Sequence, residues 1–145
     1  MASEYKPNLG VIAITAATTL EDDAYAGRTV NLNSATGRIV TLPAATGSGA
    51  TYTIFVGTTV SSGNHVVRVA SSADVIQGVV AIATDIAGVT VPTATDTDTI
   101  TLNGSTTGGI RGSWLELQDV ASGIWSVRGG LVSSSTEATP FSAAV

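Results

Sequence analysis

The chain has 145 residues and no cysteine, which allows one ordinary domain with a real core and excludes a disulfide framework, a thiolate nucleophile and a cysteine zinc site. Its net charge is −5, and its six basic residues, Lys6, Arg28, Arg38, Arg68, Arg111 and Arg128, are scattered; with no basic stripe to neutralise phosphates, nucleic acid and anionic membrane are excluded as expected partners. Charged residues make up only 12%, about half the usual share, while 43% hydrophobic residues and a mean hydropathy of +0.36 exclude a disordered chain. A surface built instead from Thr, Ser, Asn and Ala suits protein contact, because neutral polar groups are less costly to desolvate than ions.

The first ten residues, "MASEYKPNLG", carry Glu4 and Pro7 where a signal peptide needs a basic start and an apolar core. The expectation is a protein made and kept in the cytoplasm, with no membrane span. Residues 1–10 show no alternation and read as an N-terminal arm, with Tyr5 and Leu9 as apolar anchors.

Residues 11–132 read as one β domain. In "RTVNLN", Val30 and Leu32 point one way and Thr29, Asn31 and Asn33 the other, the alternation of a half-buried strand. "TYTIFV" sets Tyr52, Ile54 and Val56 against Thr51, Thr53 and Phe55. In "HVVRV" the alternation is imperfect, because Arg68 shares its face with Val66. "SADVIQGV" is the best helical candidate, a single turn with Asp74 as its cap. "VIQGVVAIATDIAGVTV" is the most apolar segment and suits either a central strand pair buried on both faces or a surface at which identical chains meet. "TITLNG" pairs Ile100 with Leu102, "SWLELQ" pairs Leu115 with Leu117 against Trp114 and Glu116, and "IWSVRG" pairs Trp125 with Val127. Turn signals, "SATGR", "PAATGSG", "SSGN", "NGSTTGG" and "ASG", recur at about the 8–12-residue spacing of an all-β sandwich or barrel. The expected fold is therefore all-β: a compact antiparallel sandwich, or a jelly-roll-like or barrel domain, with extended terminal arms. Residues 133–145, "SSSTEATPFSAAV", form the C-terminal tail, with Phe141 as its large apolar anchor.

Chemistry-bearing patterns are few. His65 is the single histidine and follows a turn, so it reads as a surface residue rather than a triad member or a ligand. Asp85, Asp96 and Asp98 raise the question of calcium or of a carboxylate pair, but the further oxygen ligands and the Gly of an EF-hand loop are missing; they read as a solvated turn or edge that blocks strand pairing. "GRTVNLNSATG" and "NGSTTGG" lack the Lys and the following helix of a phosphate loop and read as hairpin turns. Trp114 and Trp125 have the spacing of a hairpin, and core is their default role, with a sugar-binding platform as the minority alternative. The expectation is a protein that is not an enzyme, with no catalytic residues, metal or cofactor.

The stretch "TLPAATGSGATYTI" and the tail "GSWLEL…GIWSVRGGL…ATPF" resemble the small β-rich virion proteins of tailed bacteriophages that decorate, or cement, capsids. The resemblance spans Tyr25 to Phe141. It implies a homotrimer at three-fold or quasi-three-fold positions on the outer surface of an assembled head, with the major capsid protein as partner, in a virion assembled in the host cytoplasm. It does not say which residues touch the shell. On physical grounds Tyr5, Lys6, Pro7 and Leu9 are the capsid-binding candidates, and Val79, Val80, Ile82, Ile86 and Phe141 the trimer-contact candidates. The competing readings are a trimeric tail-fibre or receptor-binding module of a virion, and a carbohydrate-binding sandwich or small hydrolase.

Overall fold

The computed structural model describes residues 10–145. The fold is all-β, with two mixed sheets sharing one hydrophobic core in a sandwich-like arrangement. Its first half alternates between the sheets. Strands β1 (Val11–Ala13), β3 (Thr29–Leu32) and β5 (Thr51–Val56) lie side by side and parallel in the larger sheet. Strands β2 (Thr18–Thr19), β4 (Ile39–Thr41) and β6 (His65–Arg68) do the same in the smaller one. The chain thus winds as a coil, each turn laying one strand in each sheet, with one short helix, α1 (Asp22–Tyr25), between β2 and β3.

The second half closes this coil with five antiparallel pairs and one parallel pair. Strands β7 (Val75–Ala83) and β8 (Gly88–Pro92) form a hairpin at one edge of the larger sheet. Strand β9 (Thr99–Leu102) crosses to the smaller sheet and runs antiparallel to β6. The hairpin of β10 (Trp114–Ala121) and β11 (Ile124–Val132) fills the space between β5 and β7, and β12 (Phe141–Ser142) pairs with β9. The orders are β1-β3-β5-β10-β11-β7-β8 and β12-β9-β6-β4-β2.

The antiparallel expectation is therefore corrected to mixed sheets. A turn signal marks where the chain reverses, not which sheet receives it. "SATGR", "PAATGSG" and "NGSTTGG" connect strands of opposite sheets rather than hairpin neighbours, and these connections span the roughly 10 Å between stacked sheets. Among those turns only "ASG" closes a hairpin, that of β10 and β11.

Alternation otherwise places the side chains as read. Val30, Leu32, Tyr52, Ile54, Val56, Ile100, Leu102, Leu115, Leu117, Trp125 and Val127 are all buried. Tyr52 and Trp125 pack ring to ring, centroids 5.7 Å apart; each burial is worth about 4–6 kcal/mol at the usual area coefficient. The Tyr52 hydroxyl donates to the Asp22 carboxylate and so fastens α1 to the core. The turn expected at "SADVIQGV" is not helical: β7 begins at Val75, and Asp74 accepts the Ala45 amide at 2.9 Å. The apolar segment that follows is not buried on both faces. It is the penultimate strand and the edge strand of the larger sheet.

Candidate interaction surface

Register places the outer face of the larger sheet in rows. One row runs Asn31, Phe55, Trp114, Gly130, Ala81, Thr90 across β3, β5, β10, β11, β7 and β8. The next runs Thr29, Thr53, Glu116, Arg128, Val79, Pro92. Phe55 and Trp114 are direct cross-strand partners, 38% and 40% exposed. Gly130 sits opposite Trp114 on the other side, where an added Cβ would lie 3.0 Å from the indole Nε1. Its missing side chain lets the indole lie close to the sheet. Val79, 51% exposed, extends the apolar surface in the adjacent row. The charges between these residues cancel, because Arg128 pairs with Glu116.

Two buried carboxylates organise backbone around them, Asp119 on the larger sheet and Asp98 beside the smaller one. Asp119, on β10, accepts the backbone N–H of Gly47 at 2.6 Å, of Thr46 at 3.0 Å and of Ser48 at 3.2 Å, and the Ser48 hydroxyl at 2.8 Å. Burial alone would raise its pKa; these donors overcome burial and pull it down to about 2. Gly47, at φ +81°, gives the loop the left-handed residue that turns successive amides toward one carboxylate. Asp98 does the same for the chain's last residues, accepting the Ala144 amide at 2.7 Å, the Thr99 hydroxyl at 2.7 Å and the Val145 amide at 3.2 Å. Burial raises its pKa, and these bonds bring it below the ordinary carboxylate value.

The reading of three solvated aspartates is thus corrected for Asp98, which is buried, while Asp85 and Asp96 are exposed. His65 is also not a surface residue. It shares the inner face of β6 with Val67, fully buried, and its Nδ1 accepts the Arg38 amide at 3.0 Å. Burial lowers its pKa, the nearby Arg38 charge acts in the same direction, and a backbone hydrogen bond at Ser34 partly offsets them. Among the described residues no group of three or more His, Asp or Glu side chains is placed to hold a metal ion.

The trimer-contact candidates divide. Val80 and Ile82 are turned into this chain's own core, 1% and 0% exposed, and so are corrected to core residues. Val79 and Ile86 are outside, Ile86 at the tip of the β7–β8 hairpin and 93% exposed. Phe141 is half-buried, packed against the core from β12 and paired with Ile100. The C-terminal tail is accordingly pinned to the body rather than extended. Tyr5, Lys6, Pro7 and Leu9 lie outside the described residues.

Trp114 was expected in the core and is on the surface; Trp125 is in the core as read. The outward direction of Phe55 and Trp114 was present in the alternation itself. Their size argued for burial, and only the sheet order makes them neighbours. A comparison of the chain with protein families, with curated proteins and with solved structures finds no match.

Proposed function

We propose that this protein is a capsid decoration protein of a tailed bacteriophage, binding the outside of an assembled head as a homotrimer and stabilising it. The observation that carries the reading is the outer face of the larger sheet, where Phe55, Trp114 and Val79 stand exposed among Thr, Ser and Gln side chains and one ion pair, Glu116 with Arg128. Aromatic residues held on a rigid sheet supply large contact area at small entropic cost. The sequence resemblance to cement proteins supplies the partner, the major capsid protein. Three copies per site would multiply a modest single-copy contact through effective concentration.

The residues 1–9 segment, with Tyr5, Lys6, Pro7 and Leu9, serves in this reading as a second point of attachment, reaching a neighbouring capsid subunit. The experiment is a pelleting assay with purified heads lacking the protein. Trp114→Ser and Phe55→Ser weaken binding at least tenfold while the fold is unchanged, and deletion of residues 1–9 abolishes binding while leaving the trimer intact. Full binding by both surface variants removes the sheet face from the account, and full binding by the deletion removes the arm.

One observation favours a second reading, a tail-fibre module. The parallel stacks β1-β3-β5 and β2-β4-β6 are built as a solenoid shaft is built, one strand per coil per sheet. Location of the protein in purified particles separates the two.

A further inference from the structure

Among the described residues, three of the four sheet edges are strands of two or three residues: β1, β2 and β12. The fourth, β8, is five residues long, carries no charge and has neither a bulge nor a covering element among the described residues. Natural sheets usually block an edge of this kind with a lysine, a proline or a twist. Here the only such device is Pro92, at the last position.

The register shows what the edge offers. The Thr84 amide donates to the Ala87 carbonyl, and the Thr93 amide to the Gly78 carbonyl. With Ile82 opposite Val89 and Val80 opposite Val91, the odd-numbered residues of β8 direct their backbone groups at β7. Antiparallel ladders alternate, so the N–H and C=O groups of Gly88 and Thr90 and the C=O of Pro92 point away from the sheet. Val89 and Val91 lie on the face of the sheet that carries the core. Val89 is nonetheless 46% exposed, and an open depression of about 610 Å³ is lined by Ala81, Ile82, Ala83, Gly88, Val89 and Thr90.

We propose that β8 pairs antiparallel with β8 of a second copy of this chain, about a two-fold axis at Thr90, and joins two seven-stranded sheets into one. The strand is its own complement in that register. Thr90 exchanges both backbone bonds with its counterpart, and each Gly88 N–H meets the other copy's Pro92 carbonyl. Pro92 has no N–H to lose and marks the end of the ladder. On the core side each Val89 lies opposite the other copy's Val91, the β-branched cross-strand pairing that stabilises sheets, and the second strand covers the exposed flank of Val89. No charge on either strand opposes the contact. An unrelated extended segment would make the backbone bonds but has no reason to bring apolar residues to both inner positions. A two-fold contact cannot close a three-fold ring, so this surface is separate from the proposed trimer and would join one assembly to the next.

The experiment reads the Thr90 amide of the full-length protein by NMR hydrogen exchange at high and low concentration, with sedimentation mass alongside. The result expected is slow exchange at high concentration, accelerating at least about tenfold on dilution, together with a mass that halves. Thr90→Pro deletes the outward N–H without touching the ladder to β7; it leaves no amide to read at position 90 and abolishes the change in mass. Val89→Lys, a charge on the inner flank, keeps the Thr90 amide, abolishes both effects and covers the case in which the proline variant fails to fold. A Thr90 amide that exchanges like an open loop at every concentration overturns the proposal, as does a mass that still halves on dilution in both variants. A wild-type trimer whose mass does not change with concentration leaves the decoration reading standing and removes only the edge contact; a chain that dimerises but never forms trimers does the reverse.

Discussion

Replacing Asp119 by Asn keeps the shape of the side chain and removes the charge that organises residues Thr46–Ser48. The wild-type carboxylate titrates at about 2 against a reference of 3.8, a depression worth roughly 2–3 kcal/mol of stability at neutral pH. Asn retains one acceptor oxygen and turns an amide NH₂ toward donors that need an acceptor, so the cost of D119N at pH 7 is about 3 kcal/mol. For a domain of this size that lowers Tm by about 6–12 °C. The assay is thermal unfolding followed by circular dichroism for both proteins from pH 7 to pH 2. The sign follows from the depressed pKa: the carboxylate's contribution is complete above the unfolded value and is lost as pH falls from about 4 toward 2. The gap between the two proteins therefore stays constant down to about pH 5 and then narrows. An unchanged Tm at pH 7, or a gap that does not shrink in acid, refutes the role given to Asp119.

His65 is held neutral by burial, so its unfolded form binds a proton that the native form resists. Stability is complete above about pH 6.5 and declines as pH falls below it; His65→Asn, which keeps an acceptor for the Arg38 amide, flattens this slope between pH 7 and 5 in urea titrations. Burial and the Asp22 carboxylate raise the Tyr52 pKa well above the ordinary phenol value, so wild-type stability falls as pH rises past about 10. Tyr52→Phe removes that alkaline loss and costs about 1–3 kcal/mol at pH 7, read by denaturant unfolding. Gly130→Ala places a methyl group against the Trp114 indole and shifts the tryptophan emission, while Trp114→Ser changes unfolding free energy by only about 1 kcal/mol because the ring is already part-exposed.

Period-two alternation was enough to find the inner faces of β3, β5, β9, β10 and β11, because a strand with one face in the core must place Tyr52, Ile54 and Val56 on the same side. It could not show which strands are neighbours. The parallel coil depends on pairs such as Val30 with Ile54 and Val40 with Val67, and no local pattern encodes those. The polar interior was missed for a related reason. Asp98, Asp119 and His65 are tolerated inside only because distant backbone groups at Ala144, Gly47 and Arg38 reach them. Val79 and Val80 show the limit of composition: adjacent and identical in type, they fall on opposite faces of β7, one on the surface and one in the core.

The central claim is that this protein coats a phage head, and the most direct test is its copy number in purified particles, measured by quantitative mass spectrometry against the major capsid protein. Symmetry-matched decoration predicts on the order of one copy per capsid subunit. A handful of copies per particle would move the protein to the tail or a single vertex, and its absence from particles would contradict the claim outright.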